Sequence, residues 1–264
     1  VKVSGTSFTA LLTGLKAATA YQYRVLVDGT AGEEQSFTTV EAVPLTNGGF
    51  DDWSSVAVGK NTLWQPWAEG GTSFWDTGNK GATTVGNSNS TPTTETSTGS
   101  GQAASLESKY IVLKFAAGNI FTGTYVRTDG TNGVLQFGRP FTSFPSKLRI
   151  HYKYNCVPIN KSGDDDFKYL VGRPDSCQVY IALTDWDAPL EIRTRPSERQ
   201  LFDPSDPKVI AYGELTKGES VSAWTQADIV LDYRYTNRTP KYIVVVASAS
   251  KYGDYFTGGE GSKL

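Results

Sequence analysis

Residues 148–155 read Leu-Arg-Ile-His-Tyr-Lys-Tyr-Asn, so apolar or aromatic side chains alternate with polar ones. Successive side chains of a β-strand point to opposite faces, and this period of two therefore predicts a strand with one face in a core. The buried face would carry the apolar and aromatic members Leu148, Ile150, Tyr152 and Tyr154. The opposite face would carry the polar members Arg149, His151, Lys153 and Asn155.

His151 is the single histidine of the chain. A role as general base would need a partner carboxylate or nucleophile, and no spacing in the sequence indicates one. One interpretation is that His151 lies on a solvated sheet face. The other is that this polar face is the binding face of a carbohydrate-binding sandwich.

Strand-like runs of the same kind recur along the chain, with turn residues between them. The clearest runs lie at 110–115, 134–137, 147–156, 177–184, 208–213, 227–235 and 242–248. No stretch of ten or more residues has the apolar spacing of an amphipathic helix. Many short strands are typical of a sandwich or jelly roll, so we expect an all-β chain with no helix longer than about two turns.

Composition excludes several classes of protein. The 264 residues carry 25 Lys and Arg against 27 Asp and Glu, a formal net charge of −2, and no basic patch indicates nucleic-acid binding. No stretch approaches the roughly 18 apolar residues of a membrane-spanning helix. One His excludes a site that needs two imidazoles, and two Cys exclude a thiolate-clustered metal site.

Residues 1–43 are typical of the end of a module whose beginning lies upstream. The chain starts at Val1 without a secretory signal, so we expect any targeting signal or lipid anchor to precede it. Loose alternation at 7–15, clean alternation at 21–27 and a short run at 35–39 predict three strands, which are too few to close a sandwich. Pro44 blocks strand continuation, and we therefore predict two domains, 1–43 and 44–264.

The first domain resembles the last strands of a fibronectin type III or similar immunoglobulin-like domain. The resemblance rests on Leu15-Lys-Ala-Ala-Thr-Ala-Tyr21-Gln-Tyr23-Arg-Val25 and on Ser36-Phe37-Thr38-Thr39. It implies that Tyr21 forms a tyrosine corner, which bonds back to the backbone upstream. An unrelated hairpin with a buried Tyr is the alternative.

Residues 82–105 are almost all Thr, Ser, Gly, Asn and Ala, the composition of a flexible linker. Neither of the aromatic segments that flank it is typical of a domain that folds on its own. We therefore expect a long surface loop within one domain rather than a linker between two.

Four of the six Trp fall between positions 53 and 79, at Trp53, Trp64, Trp67 and Trp75. The apolar C–H faces of a sugar stack on aromatic rings, while its hydroxyls need Asp or Asn nearby. Trp75, Asp76 and Asn79 supply these types together and are the predicted sugar site, with Trp67, Tyr154 or Trp186 within reach. Packing of the Trp side chains in the core is the alternative.

Paired carboxylates could instead hydrolyse a glycosidic bond. The candidates are Glu69, Asp76, Asp185, Asp187 and Glu191. The reaction needs two carboxyl groups about 5–9.5 Å apart, which the sequence alone does not establish. The run Asp164-Asp165-Asp166 predicts a solvated turn, with Ca²⁺ ligation as its alternative.

Cys156 ends one predicted strand and Cys177 starts the next. A disulfide between them is plausible in an oxidising compartment if the two strands pair directly. Two reduced, buried cysteines fit the sequence equally well.

From Asn47 onward the chain resembles the "putative carbohydrate metabolism domain" family of surface and periplasmic proteins of gut Bacteroidetes. The matching motifs are Asn47-Gly-Gly-Phe-Asp-Asp-Trp53, Phe74-Trp-Asp-Thr-Gly-Asn79, Ala117-Gly-Asn-Ile-Phe-Thr-Gly123, Phe137-Gly-Arg-Pro-Phe141, Tyr152-Lys-Tyr154, Asp175-Ser-Cys-Gln-Val-Tyr-Ile181 and Tyr255-Phe-Thr-Gly-Gly259. The resemblance implies a galactose-binding-type jelly-roll sandwich preceded by an immunoglobulin-like domain. The family has no established catalytic residue that the resemblance could assign to a position of this sequence.

The resemblance also raises the question of a structural Ca²⁺. In related jelly rolls the opening turn and a last strand with two Asp often hold one, and Asp51 matches the opening position. Members continue into that last strand, whereas this chain stops at Leu264. Asp51 is therefore the one candidate metal ligand, and we expect no other cofactor.

The function expected from these observations is non-catalytic binding of an oligo- or polysaccharide by an accessory protein of the cell surface or periplasm of a Gram-negative bacterium, such as a lipoprotein. A glycoside hydrolase and a structural or adhesin spacer are the alternatives. Sugar identity and oligomeric state do not follow from the sequence.

Overall fold

A computed structural model describes residues 2–5, 7–10, 12, 14–41, 44–112 and 114–264. Contacts within the chain divide it into two units, Val1–Thr46 and Asn47–Leu264. The predicted boundary between 43 and 44 falls slightly earlier, and positions 42 and 43 lie outside the described residues. Strands dominate both units, so the all-β expectation is confirmed.

The first unit consists of short antiparallel strand pairs. Its strands are β1 (Lys2–Ser4), β2 (Ser7–Thr9), β3 (Ala20–Tyr23), β4 (Leu26–Val27), β5 (Thr30–Ala31) and β6 (Gln35–Thr38). β1 pairs with β2, β3 with β6, and β4 with β5. The run 21–27 is thus two strands rather than one, and the two have different partners. Asp28 and Gly29 adopt φ values of 48° and 82° and turn the chain from β4 into β5.

Tyr21 makes the contact expected of a tyrosine corner. The backbone N–H of Lys16 donates to the Tyr21 hydroxyl at 2.7 Å, and the Tyr21 ring stacks on Phe37 with centroids 5.8 Å apart. The immunoglobulin-like class of this unit stays a prediction.

The second unit carries the larger set of strands. They are β7 (Ser54–Val58), β8 (Asn61–Gln65), β9 (Trp75–Asp76), β10 (Ser90–Thr93), β11 (Ala103–Leu106), β12 (Lys109–Ile111), β13 (Lys114–Ala116), β14 (Asn119–Asp129), β15 (Asn132–Phe137), β16 (Arg139–Pro140), β17 (Lys147–Tyr154), β18 (Lys161–Ser162), β19 (Cys177–Thr184), β20 (Leu190–Arg193), β21 (Val209–Lys217), β22 (Val221–Val230), β23 (Asp232–Tyr233), β24 (Tyr242–Ser248) and β25 (Thr257–Gly258).

Helical segments of the second unit are short. They are the helix α1 (Asn79–Ala82) and the 3-10 segments Asp165–Leu170, Pro196–Glu198 and Gly253–Tyr255. Within the described residues, no helix has the length and apolar character needed to cross a bilayer.

A nine-stranded antiparallel sheet forms the centre of the second unit. Its strand order is β20-β15-β14-β24-β19-β21-β23, with β9 paired to β14 and β16 paired to β24. The antiparallel pair of β17 and β22 packs against one face of this sheet at Gly213, where a Cβ would lie 2.4 Å from the Val230 carbonyl oxygen. The glycine lets the two layers approach closely. These packed antiparallel layers are the expected jelly-roll sandwich.

The other face of the large sheet, called the cavity face below, carries an aromatic and aliphatic cluster. Its members include Phe121, Tyr125, Leu135, Phe137, Tyr180, Val244 and Val246. Trp186, Leu201 and Phe202 pack on this cluster and cover part of it. The alternating pattern of these strands therefore gives the sheet an apolar face whose named members are all buried.

The serine- and threonine-rich segment 82–105 lies within the second unit. It is not simply a loop, because β10 and β11 pair antiparallel and Ser88, Asn89 and Ser90 are buried. Small polar side chains suit such positions because they hydrogen-bond to nearby backbone groups. The connection between the two strands and the positions 84, 85 and 87 have the exposed character expected from the composition.

Candidate functional site

A cavity of about 260 Å³ lies on the cavity face. Phe121, Tyr125, Phe137, Tyr180 and Val246 form its floor. Helix α1 with Gly78, strand β13 and the segment 253–256 form its walls. Small-molecule sites start at roughly 300 Å³, so the cavity is of a size for a single sugar ring or the end of a chain rather than for a long ligand.

Polar side chains surround this apolar floor. They include Lys114, Thr128, Gln178, Thr194, Ser248, Lys251 and Asp254. The Tyr125 hydroxyl is 2.8 Å from the Thr128 hydroxyl, and burial raises the pKa of Tyr125. Aromatic surface with a few convergent polar groups can bind a ligand that has both apolar faces and hydroxyls.

Charged groups lie at two places on the rim. Burial raises the pKa of Asp254 to about 6. The residue as a whole is nevertheless exposed. No Lys or Arg nitrogen lies within 4 Å of its carboxylate in the described chain. Lys251 donates to Glu214 Oε1 at 3.2 Å. Burial alone would raise the pKa of Glu214, yet hydrogen bonds from Thr216, Tyr212 and Lys251 lower it to about 2.

The helix α1 wall is held by the motif that follows Phe74. Asp76 accepts hydrogen bonds from the Tyr125 backbone N–H at 2.8 Å and from Lys80 Nζ at 3.0 Å, which ties the helix to β14. Gly81 faces Tyr125, and a Cβ there would lie 2.6 Å from the Tyr125 hydroxyl oxygen. The wall therefore needs a glycine at this position to leave room for the tyrosine.

Asn79 is fully buried and uses both ends of its amide. Its Nδ2 donates to the carbonyl oxygens of Trp64 at 2.8 Å and Ser90 at 2.7 Å. Its Oδ1 accepts from the backbone N–H groups of Asn89 and Ser90, both at 3.1 Å. Asn79 thus joins three chain segments and has no group left for a sugar hydroxyl.

Trp75 is a core residue, and this corrects the predicted sugar platform. Its side chain is 3% exposed and its ring lies edge-on to Phe50 and Phe74, with centroids 5.0 and 5.7 Å away. The ring does not line the cavity, so it offers no face to a ligand there. The packing interpretation of this tryptophan is the one that fits the structure.

The other predicted site residues are spread through the unit. Tyr154 is buried and donates to the Ala249 carbonyl oxygen at 3.1 Å. Trp186 is 5% exposed and packs edge-on to Phe202, with centroids 6.1 Å apart. Trp67 is half-buried, and none of the three lines the cavity. The structure does not gather them with Trp75.

Asp51 holds a loop rather than forming part of a ligand set. Its Oδ1 accepts from the Gln102 backbone N–H at 2.9 Å, and its carbonyl oxygen accepts from Gln102 Nε2 at 3.2 Å. Within the described residues no three His, Cys, Asp or Glu side chains are grouped as a metal site would require. The donors around Asp51 therefore do not fit a Ca²⁺ ion, which takes six to eight oxygen ligands.

Most of the predicted catalytic carboxylates are neutralised by cations. Asp185 forms two hydrogen bonds with Arg238, Glu191 pairs with Arg193, and Asp76 pairs with Lys80. Hydrogen bonds from Lys208 and Lys241 lower the pKa of Asp187 to about 2. Glu69 is exposed. Since none of the five lines the cavity, they are not a catalytic pair at this site.

The acidic run and the cysteines have local roles. Asp164 accepts from the Asp166 backbone N–H at the start of a 3-10 segment and pairs with Arg199, which agrees with the turn interpretation. Cys156 and Cys177 are free thiols, and burial raises the pKa of both. Their strands do not pair directly, since β17 pairs with β22 and β19 with β21 and β24.

The alternation at 148–155 is confirmed. Tyr152 and Tyr154 are buried and His151 is exposed on the outer face of the β17 and β22 pair. Arg149 on that face forms two hydrogen bonds with Asp228 of β22. A cation paired in this way is typical of a solvated sheet face.

Sequence reasoning missed the residues that form the cavity. Phe121, Phe137, Tyr180 and Phe256 stand in the motifs that carry the family resemblance, but their spacing gives no sign that they share one site. Lys114 and Asp254 lack even that signal. The pairing of β14, β15, β19 and β24 brings Phe121, Phe137 and Tyr180 together, and β13 and the segment 253–256 add the other residues.

Comparisons with known proteins agree with this fold. A structure described as a "putative glycoside hydrolase" from Bacteroides vulgatus ATCC 8482 has a TM-score of 0.60 and 21% identity, and the match covers 81% of this chain and 92% of that one. A second, described in the same words, from Bacteroides thetaiotaomicron VPI-5482, has a TM-score of 0.61 and 18% identity, covering 93% of this chain and 76% of that one. At these identities the likeness concerns the fold. No curated protein matches the chain.

The family model described as "Putative carbohydrate metabolism domain" matches residues 49–264, which is nearly the whole second unit. The match confirms the resemblance found in the motifs between Asn47 and Gly259. It supports a role connected with carbohydrate. The chain belongs to the carbohydrate metabolism domain family.

Proposed function

We propose that the second unit binds a carbohydrate without cleaving it, and that the ligand enters the cavity on the large sheet. The observation that carries the proposal is the floor of Phe121, Tyr125, Phe137 and Tyr180 under a polar rim. Aromatic rings supply the apolar surface for sugar C–H groups, and the rim supplies donors and acceptors for hydroxyls. Membership of the family supports a carbohydrate ligand.

The setting of this function is part of the same proposal. A protein that captures glycans for a Gram-negative cell would act at the cell surface or in the periplasm, as an accessory to enzymes that degrade polysaccharides. The origin of the two similar structures in Bacteroides species supports this setting.

Filling the cavity tests the proposal. Val246 lies in the floor, and in Val246→Phe the added ring would occupy the space that the sugar needs. Val230→Phe is the matched control, because Val230 is 67% exposed on β22 and does not line the cavity. We expect calorimetric titration with a panel of oligosaccharides to show binding by the parent chain and the control, and none by Val246→Phe.

Val230→Phe should keep its melting temperature because the residue lies in solvent, whereas Val246→Phe should lose about 1–3 kcal/mol because the residue is buried in the core cluster. Binding is therefore compared at a temperature at which circular dichroism shows both variants folded. Equal binding by Val246→Phe and the parent would show that the ligand binds elsewhere. A panel that binds no variant at all would favour the structural or adhesin spacer.

Hydrolysis is a second candidate, and Asp254 is the observation that favours it. A glycoside hydrolase needs one carboxyl that stays protonated near neutral pH and a second that is ionised. The pKa of Asp254 is raised to about 6 and that of Glu214 is lowered to about 2. Glu214 neighbours Tyr180 across β19 and β21, and Tyr180 lines the cavity.

Incubation with the same panel separates the two candidates. Binding without new reducing ends supports the binding function. New reducing ends that disappear in Asp254→Asn would replace it with hydrolysis, with Asp254 as general acid. New reducing ends that persist in Asp254→Asn would place the reaction on other carboxylates.

A further inference from the structure

We propose that the cavity selects a sugar that carries an anionic group, either a uronic acid carboxylate or a sulfate ester, and that Lys114 binds this group. The inference rests on the proposed function and names the ligand class of the same cavity. Lys114 carries it, a cation of the cavity wall that lacks a carboxylate partner, and the positive charge of Arg199 acts on it.

Lys114 is held in the cavity wall by neutral groups. Its Nζ lies 2.6 Å from Asn132 Oδ1, 3.2 Å from Thr131 Oγ1 and 3.5 Å from the centroid of the Phe256 ring. No carboxylate oxygen comes within 4 Å of this nitrogen in the described part of the chain. The charge is therefore fixed in position, half-buried and not compensated by an anion of the protein.

The other lysines of the cavity region differ from Lys114 in this respect. Lys251 pairs with Glu214, and Lys80 pairs with Asp76. An ion pair within the protein leaves less attraction for a ligand anion. Lys114 is thus the cation on the rim that an anionic ligand would neutralise.

Arg199 adds a second cation next to this end of the cavity. Its guanidinium carbon lies 4.6 Å from the Tyr255 ring, and Tyr255 stands between the cavity residues Asp254 and Phe256. One donor, Nη1, pairs with Asp164 Oδ2 at 2.6 Å, whereas Nε and Nη2 are buried without an acceptor. Arg199 does not line the cavity, so it contributes positive charge near this end of the cavity rather than a contact with the ligand.

The two cations influence each other. Burial lowers the pKa of Lys114, and the positive charge of Arg199 lowers it further. Like charges repel, so an anion bound beside Lys114 relieves part of this repulsion. Asp254 is the acidic group of the rim, and it is suited to accept a hydrogen bond from a sugar hydroxyl while the anionic substituent faces Lys114.

Matched saccharides and one substitution test the inference. The acidic probes are oligogalacturonate, alginate oligosaccharides and chondroitin sulfate oligosaccharides, so that carboxylate and sulfate are distinguished. The neutral probes are methyl-esterified oligogalacturonate, galactan and xylan oligosaccharides. The variants are Lys114→Gln and the control Lys109→Gln, which removes the same charge from β12, the strand paired with β13.

We expect at least one acidic probe to bind more tightly than every neutral probe. Lys114→Gln should weaken that binding by about ten- to a hundredfold, the range of a charge-assisted hydrogen bond, and Lys109→Gln should not change it. Raising the salt concentration should weaken acidic binding to the parent chain and have little effect on Lys114→Gln.

The results distinguish failure of the acidic preference from failure of the proposed carbohydrate binding. Neutral probes that bind as tightly as acidic ones, or equal losses in both Lys variants, overturn the acidic preference and leave carbohydrate binding standing. Failure of every probe to bind the parent chain overturns both.

Discussion

In the segment 74–79 and in the cavity wall at 114–117, the role that the residue types suggest is the opposite of the role that the structure gives them. The segment has the sequence of a sugar site, Phe-Trp-Asp-Thr-Gly-Asn, yet Trp75, Asp76 and Asn79 are buried and serve the protein's own backbone and core. The wall at 114–117, Lys-Phe-Ala-Ala, has no such signature, yet it lines the cavity with Lys114 at its rim.

This difference shows that residue types suited to sugar binding can position the wall of a site without contacting the ligand. The buried segment positions helix α1, and Gly78, Gly81 and Ala82 line the cavity. Asp76 fixes that helix to β14 through Tyr125. Substitutions in the segment should therefore act on folding, and substitutions in the wall should act on binding.

The largest expected effect is that of Trp75→Ala. Removing a buried tryptophan should lower the free energy of unfolding by about 3–5 kcal/mol, measured by denaturant unfolding. Trp67→Ala is the control, because Trp67 is only half-buried and its loss should cost less. A Trp75→Ala protein with unchanged stability and no sugar binding would reverse the comparison and make this ring part of the site.

Asn79→Asp should have the next largest effect. The carboxylate would keep the size of the side chain but present oxygen to the carbonyls of Trp64 and Ser90, which now accept from Nδ2. Losing two buried hydrogen bonds and facing oxygen to oxygen should cost about 3 kcal/mol at neutral pH. The loss should shrink at pH 4, where a protonated acid can donate once. A neutral result would show that this amide is not the junction of the three segments.

Asp254→Asn should have the smallest effect on stability, with a sign set by pH. The folded-state pKa of about 6 lies above the ordinary value for Asp, so ionisation of Asp254 disfavours the folded state as pH rises from about 4 through 6. Asparagine removes that ionisation. The melting temperature of Asp254→Asn should therefore match the parent at pH 4 and exceed it slightly at pH 7.5, since Asp254 is exposed. A variant that is less stable at pH 7.5 would contradict the raised pKa of this carboxyl.

The sequence was sufficient for the fold class because strand periodicity is local. At 148–155 each alternate residue could be assigned to a face, and Tyr152 and His151 lie as expected. The same reasoning could not decide whether Trp75 packs or binds, since a tryptophan beside Asp and Asn suits both roles. The cavity was out of reach because β14, β15, β19 and β24 become neighbours only in the folded sheet.

Hydrogen–deuterium exchange of the second unit with a bound oligosaccharide tests the central claim most directly. Sugar in the cavity should slow exchange at β13, at β15 and in the segment 253–256, and leave the outer pair of β17 and β22 unchanged. Slowing confined to β17 and β22, around His151, would place the binding face on the opposite side of the sandwich and contradict the account.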